Sequence, residues 1–252
     1  MTKTKYITPA SQSNRRSFLG KAWLPLALCL VSAGLNSAIA QTTTALALTG
    51  NASPDGNGTF SGFQTIHVLN ANGKVAFIAD LTGTQNPLTD AHGIFIADSN
   101  SITKLVCTGD ATPDGNGTFR YFSRDFGVIE RLVLNDNDSV AFMASLSGTS
   151  GGPTDSLGLF GASAGGGVKQ FVRTSDAAPD GNGIFAASDF GVPFSPPGLD
   201  NGGMAMFHGK LANTSGGQYV DDTGAFSSNA TSTCKRTLEE HYKPDIVSIF
   251  QT

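Results

Sequence analysis

The apolar residues of this chain recur in short alternating runs separated by turns rich in glycine, asparagine and aspartate. The clearest run is Val75–Leu81, in which every second residue from Val75 onward is apolar and lies on one face of a strand. The opposite face holds Ala76 and Ile78, so the middle of this strand is apolar on both faces. A strand that is covered on both sides belongs to a sheet stacked between other sheets.

This apolar run recurs twice more at a constant interval. Phe77, Phe142 and Phe207 occupy the same place in the three copies and are each 65 residues apart (142 − 77 = 65 and 207 − 142 = 65). The flanking segments recur as well, since GIFIAD (Gly93–Asp98) matches GLFGAS (Gly158–Ser163). Internal similarity at a fixed period is typical of proteins built from stacked repeats.

The alternating runs and turn residues of each copy predict four short strands joined by turns. We therefore predict an all-β fold of three tandem four-stranded antiparallel units that resemble propeller blades. Because propellers typically have about four to eight blades, we expect a small ring that is open, incomplete or completed by oligomerisation. An opening strand at Thr44–Thr49 is expected to close the last unit.

The five residues PDGNG occur three times, at Pro54–Gly58, Pro113–Gly117 and Pro179–Gly183. Asp-Gly and Asn-Gly favour positive φ, so a tight turn that joins successive blades is the favoured interpretation. The alternative is a calcium loop, although calcium takes about six to eight oxygen ligands and each motif offers few side chains. The candidate calcium ligands are Asp55, Asn57, Asp110, Asp114, Asn116, Asp176, Asp180 and Asn182.

The first forty residues have the features of an export signal. They contain several basic residues and no acid, then an apolar run at Ala22–Leu35 and small residues at Ser37–Ala40. The run is shorter than the roughly 20 residues of a membrane span. NRRSFLGK (Asn14–Lys21) resembles a twin-arginine signal, with general secretion as the alternative route. We expect a bacterial protein that is periplasmic or secreted, without a stable membrane span after cleavage.

The expected organisation is an export signal at residues 1–40, a β-repeat domain at 41–230 and a divergent tail at 231–252. The repeat pattern stops after Ala230, and either a dedicated cap or a truncated gene end would produce such a tail. Cys107 and Cys234 remain after cleavage, and an oxidising compartment would allow them to pair.

Removal of the signal makes the chain acidic. Lys and Arg fall from 16 to 11 while Asp and Glu stay at 20, so the formal charge becomes 11 − 20 = −9. This charge argues against nucleic acid and anionic membranes as partners. We expect an unidentified protein or glycan ligand, and no cofactor apart from the calcium considered above.

The sequence offers little that indicates catalysis. It contains no H-E-x-x-H zinc motif and no phosphate loop that ends in Gly-Lys-Ser/Thr. We therefore expect a protein that is not an enzyme. An envelope hydrolase remains an alternative, because residues distant in sequence can assemble a catalytic site.

NANGKVAF (Asn70–Phe77), followed by GIF and PDGNGTF, resembles the bacterial NxxGxxAF tandem-repeat proteins, which are exported and carry varied (choice-of-anchor) C-terminal anchors. The resemblance covers residues 44–229. It is weaker in the later copies, where Asp138 replaces the glycine and Asp200 replaces the asparagine. It implies an exported repeat protein and supplies no activity or catalytic residues.

These patterns predict an exported β-repeat module that binds a ligand or has a structural role, without catalysis. The first alternative is a calcium-stabilised adhesion or carbohydrate-binding module, and the second is the envelope hydrolase. A binding role predicts exposed aromatic side chains, for which Tyr121, Phe122 and Tyr219 are the candidates.

Overall fold

The computed structural model describes residues 43–122, 132–186 and 193–229, and the backbone of Arg236–Thr237. The predicted export signal at residues 1–40 lies outside these ranges, as does the predicted tail apart from Arg236–Thr237. Within the described ranges, no helix has the length and apolar character needed to cross a membrane.

Three antiparallel sheets follow one another along the chain. Sheet I contains β1 (Thr59–Leu69), β2 (Val75–Thr82), β3 (His92–Ala97) and β4 (Ile102–Cys107). Sheet II contains β5 (Thr118–Phe122), β6 (Leu132–Leu134), β7 (Ser139–Ser147), β8 (Leu157–Ser163) and β9 (Gly167–Arg173), with a 3-10 turn at Gly152–Asp155 before β8. Sheet III contains β10 (Ile184–Phe185), β11 (Gly198–Leu199), β12 (Ala205–Ala212), β13 (Thr223–Ser228) and β14 (Arg236–Thr237).

Every sheet has the strand order of a four-stranded meander. β5 and β6 both pair with β7, and β10 and β11 both pair with β12, so each short pair takes the place of β1. This is the strand order of a propeller blade. The predicted fold class is therefore confirmed: the described residues form three tandem four-stranded antiparallel units and no closed barrel.

The sheets pack face to face, as the apolar pattern of the central strands predicts. One buried cluster joins sheets I and II and includes Ile78 and Phe142. A second cluster joins sheets II and III and includes Ala141 and Phe207. Because Ala141 and Phe142 are neighbours in β7, this central strand of sheet II is buried on both of its faces.

A triad of phenylalanines recurs in each sheet. In sheet I the rings of Phe60 and Phe95 meet edge to face with their centroids 5.0 Å apart, and Phe77 stacks on Phe95 at 5.8 Å. Such ring pairs contribute about 0.5–1.5 kcal/mol beyond the area that they bury. The corresponding triads are Phe119, Phe142 and Phe160 in sheet II and Phe185, Phe207 and Phe226 in sheet III.

The predicted opening strand at Thr44–Thr49 is wrong. Residues 43–48 form no strand, and Leu46 and Ala47 pack against the outer face of sheet I, in a cluster with Phe77. The apolar residues of this segment therefore cover the first face of the stack and do not close sheet III.

Candidate ligand-binding cleft

The three PDGNG segments form the same tight turn at the start of each sheet. In every turn, Oδ1 of the aspartate accepts a hydrogen bond from the backbone amide of the asparagine two residues later. The pairs are Asp55 and Asn57 (3.1 Å), Asp114 and Asn116 (3.0 Å), and Asp180 and Asn182 (2.9 Å). The last glycine is required, since at Gly117 φ is 104° and a Cβ would lie 2.7 Å from the carbonyl oxygen of Ser147.

The side chain of the asparagine in each turn makes two hydrogen bonds to the loop between the second and third strands of its own sheet. We call these loops loop I (residues 83–91), loop II (148–156) and loop III (213–222). Nδ2 of Asn57 donates to Oδ2 of Asp90 at 2.7 Å, and Oδ1 of Asn57 accepts the amide of Gln85 at 2.8 Å. Asn116 and Asn182 make the same two bonds to loops II and III.

A cation neutralises the aspartate of the first two turns. Nζ of Lys104 lies 3.0 Å from Oδ2 of Asp55, and Nη1 of Arg173 lies 2.9 Å from Oδ2 of Asp114. Burial alone would raise the pKa of both carboxyls. Hydrogen bonds and the facing cation outweigh burial and hold the pKa of Asp55 and of Asp114 below its ordinary value.

The other two predicted calcium ligands bind the ends of the fourth strands. Oδ2 of Asp110 accepts the amide of Cys107 at 2.8 Å, and Oδ2 of Asp176 accepts the amide of Arg173 at 2.7 Å. Burial raises the pKa of Asp176. In the part of the chain that the structure describes, no group of three or more His, Cys, Asp or Glu residues is arranged to hold a metal ion. Calcium binding by these turns stays a prediction.

Loop III departs from the pattern of loops I and II. It is one residue longer, because ten positions separate Leu81 from its partner Ala91 while eleven separate Leu211 from Asp222 (91 − 81 = 10; 222 − 211 = 11). Tyr219, in this loop, has a φ of 70° and is 81% exposed. A positive φ is an outlier for a bulky residue, and such outliers occur in turns and cluster at functional sites.

Loop III borders an open cleft of about 320 Å³ on sheet III, a volume near the lower end for small-ligand pockets. Its lining residues include Lys210, Asn213, Thr214, Gln218 and Asp222. They supply amide, hydroxyl, ammonium and carboxylate groups in one concave place. This is the chemistry of a site that orients a polar ligand by hydrogen bonds.

The charges in the cleft are paired. Nζ of Lys210 binds Oδ2 of Asp222 and also lies 5.6 Å from the centre of the Tyr219 ring. The same carboxyl accepts the backbone amide of Tyr219 at 2.8 Å. The hydrogen bond from Lys210 and then that from Tyr219 lower the pKa of Asp222, so this carboxyl stays ionised at neutral pH. The arrangement holds Tyr219 outward beside the cleft.

The other two aromatic candidates are placed differently. Phe122 is buried in the core between sheets I and II. The Tyr121 ring lies 6.3 Å from the His92 ring at the edge between the same sheets, with the Arg120 guanidinium 5.0 Å from it. Of the three predicted residues, Tyr219 has the exposed ring that a binding surface requires.

One acid–imidazole pair bears on the hydrolase hypothesis. Nδ1 of His92 lies 2.8 Å from Oδ1 of Asp80. Covalent hydrolysis would require a nucleophile beside such a pair. The thiol of Cys107 lies instead in the cluster on the outer face of sheet I, where burial raises its pKa to about 12. This thiol is free, and Cys234 falls outside the described residues.

Two segments, Gly148–Gly152 and Gly161–Gly165, match the G-x-S-x-G sequence motif of a nucleophile elbow. The elbow requires a sharp turn from a strand into a helix. Ser163 instead ends β8 at a hairpin, paired with Gly167 at the start of β9. The backbone amide of Ser150, in loop II, donates a hydrogen bond to Oδ1 of Asn116. Neither serine has the setting of an elbow.

Lys210 and Asn213 were not predicted as site residues. A sequence signal for both exists in the comparison of the repeats. Asn213 has a φ of 60° at the position where Gly83 and Gly148 stand in loops I and II. Lys210 takes the place of Asp80, so the third copy changes at two positions where β12 runs into loop III.

Comparison with known proteins yields one match. A family model described as "Family of unknown function (DUF7453)" matches residues 29–239, which is most of the chain. No curated protein and no solved structure matches this chain.

Proposed function

Because the chain belongs to DUF7453, a family of unknown function, we propose its role from the structure itself. The protein is an exported β-repeat module that binds a ligand through the cleft on sheet III and does not catalyse a reaction. The observation that carries this proposal is the break in repeat symmetry at loop III, where an exposed, strained Tyr219 stands beside a polar cleft.

The ligand class that suits this cleft is a glycan. A sugar ring has an apolar C–H face and a rim of hydroxyls. The exposed ring of Tyr219 can pack against the apolar face, while Asn213, Thr214 and Gln218 can exchange hydrogen bonds with hydroxyls. Because Lys210 is already neutralised by Asp222, the cleft favours a ligand without net charge.

Binding is tested on the mature chain from Gln41 with an array of neutral and acidic glycans, followed by calorimetry on the glycans that bind. We expect Tyr219→Ala to weaken binding of a neutral glycan about tenfold, since truncation of an aromatic contact residue that matters for binding costs more than about 1 kcal/mol. The matched control is Leu88→Ala, because Leu88 is 99% exposed in loop I. Wild-type protein that binds no glycan, or equal affinities for both variants, would contradict the proposal.

Export is a separate part of the proposal and rests on the N-terminal sequence pattern. If the twin-arginine interpretation is correct, replacing Arg15 and Arg16 by lysine retains the protein in the cytoplasm. Cell fractionation measures this. Export of the variant at the wild-type level would favour general secretion, and wild-type protein found in the cytoplasm would contradict export by either route.

A relation to the NxxGxxAF repeat proteins is likewise a proposal. It is supported by what the asparagine of that motif does. Oδ1 of Asn70 accepts the amides of Asn72 and Lys74, at 3.1 and 2.9 Å, and so closes the turn before β2. Oδ1 of Asn135 closes the corresponding turn before β7.

A further inference from the structure

The turns that precede the central strands form a hydrogen-bonded ladder across the three sheets. We call them turn I (residues 70–73), turn II (135–138) and turn III (200–203). Nδ2 of Asn70 donates to the carbonyl oxygen of Asn135 at 3.1 Å, and Nδ2 of Asn135 donates to the carbonyl oxygen of Asp200 at 2.7 Å. The side-chain amides thus point from each turn to the next one along the chain.

Two further contacts repeat in the same direction. Nδ2 of Asn72 donates to the carbonyl oxygen of Asp136 at 2.6 Å, and Nδ2 of Asn137 donates likewise to Asn201. The amide of Ala71 donates to Oδ1 of Asp136 at 2.9 Å, and the amide of Asp136 donates to Oδ1 of Asn201 at 3.0 Å. The contacts that repeat at both boundaries therefore use two side-chain amides and one side-chain oxygen. Each boundary has further contacts of its own: Nδ2 of Asn70 also donates to Oδ1 of Asp138, and Nδ2 of Asn201 donates back to Oδ2 of Asp136 at 3.2 Å.

The two ends of the ladder lack these groups. In turn III, Asp200 and Gly202 replace the asparagines that donate forward from turns I and II. In turn I, Ala71 stands where turns II and III have the side-chain acceptors Asp136 and Asn201. A head-to-tail contact between two copies would bring the carboxylate of Asp200 against a carbonyl oxygen of turn I. Both groups are acceptors, so no hydrogen bond could form between them.

One position on the outer face of sheet III also differs from the inner sheets, although Met206 on the same face is apolar and 49% exposed. Ile78 of sheet I is fully buried against sheet II, and Met143 is partly buried against sheet III. The corresponding residue of sheet III is His208, which is exposed. Apolar residues therefore occupy this position where another sheet follows, and a polar one occupies it in the last sheet.

We infer that Ala71, Asp200 and Gly202 terminate the ladder at both ends, so that sheets I–III form a self-terminated stack that a second copy of this chain does not extend. This inference is independent of the ligand-binding proposal, because it rests on the turns and not on loop III.

The test transfers the terminal sequence into the middle of the ladder. The double variant Asn135→Asp/Asn137→Gly gives turn II the residues of turn III, and its aspartate can still close the turn as Oδ1 of Asp200 does for Met204. We expect amide hydrogen exchange in β12 and β13 to rise by roughly tenfold while exchange in β2 and β3 stays unchanged. The control is Asn100→Gly, because Asn100 is exposed and takes no part in the ladder.

Exchange in sheet III that matches the wild type would overturn the inference, since the ladder would then not hold the boundary. If the double variant does not fold, Asn137→Gly alone gives the same comparison with the turn-closing asparagine intact. Sedimentation of the wild-type mature chain over about a hundredfold range of concentration should show a monomer. Head-to-tail oligomers of the wild type would also overturn the inference.

Discussion

Nη1 of Arg173 lies 2.9 Å from Oδ2 of Asp114, although the two residues are 59 positions apart. The same guanidinium donates through Nη2 to the carbonyl oxygen of Asn116 at 2.8 Å and through Nε to the carbonyl oxygen of Asp155. The last strand of sheet II is thereby fixed to the PDGNG turn that opens the sheet and to loop II. In sheet I this position is occupied by Cys107, which faces Gly93 as Arg173 faces Gly158.

Replacing Arg173 by methionine should lower the free energy of unfolding by about 2–3 kcal/mol. This is less than the roughly 3–5 kcal/mol of a fully buried pair, because the Asp114 side chain is 39% exposed. The control is Lys104→Met, for which we expect a loss of about 1 kcal/mol or less, since Lys104 and Asp55 are both partly exposed. Urea denaturation followed by circular dichroism measures both; equal losses would contradict the role of Arg173.

Much of this fold could be predicted from the sequence because the repeat period coincides with the core. Phe77, Phe142 and Phe207 recur every 65 residues because each occupies the same place in a phenylalanine triad. The PDGNG turn was predictable for a similar reason, since its glycine needs a positive φ and so leaves a mark in the sequence. Both the residue requirements of a turn and the periodic burial of a strand can be recognised from the amino-acid sequence alone.

The rest depends on contacts that sequence spacing does not reveal. The bonds from Arg173 to Asp114 and Asn116 join β9 to the PDGNG turn before β5. These two segments become neighbours only when sheet II has formed. The opening segment failed as a strand prediction because alternating apolar residues serve equally well to cover an exposed face, as Leu46 does. The cleft was not predicted because most of its polar residues are ordinary loop residues, and only the folded loop III places them around one concavity together with Lys210 of β12.

Gly117 and Gly115 provide a matched pair within one turn. Both have positive φ, but a Cβ at Gly117 would meet the carbonyl oxygen of Ser147 at 2.7 Å, while a Cβ at Gly115 would meet nothing within 4 Å. We expect Gly117→Ala to cost more than about 2 kcal/mol of unfolding free energy and Gly115→Ala about 1 kcal/mol. Denaturation of the two variants side by side measures the difference, and similar losses would show that the close approach is not what requires Gly117.

Acid should destabilise the fold below about pH 4. The pKa values of Asp55, Asp114 and Asp136 are all lowered by hydrogen bonds or cations that favour the ionised carboxyl. A lowered folded-state pKa contributes stability that is present above the unfolded value of about 3.9 and is lost as the pH falls through the folded value. Asp176 acts in the opposite direction, because burial raises its pKa.

The measurement of this acid effect is the urea midpoint between pH 6 and pH 3. We expect it to fall most steeply below about pH 4, and to fall less in Asp114→Asn, which removes one of the carboxyls responsible. A midpoint that does not change over this range would contradict the prediction, because the raised pKa of Asp176 would then have to offset the lowered pKa values of all three other carboxyls.

Cys107 should behave as an inert free thiol in the folded protein. Burial raises its pKa from 9.0 to about 12, which lowers the thiolate fraction roughly a thousandfold at neutral pH. In the mature chain with Cys234→Ser, Cys107 is the remaining cysteine, so the rate of thiol modification reports on Cys107 alone. We expect Ellman's reagent at pH 8 to react at least about a hundredfold more slowly than in guanidinium, and comparable rates would place the thiol outside the phenylalanine cluster of sheet I.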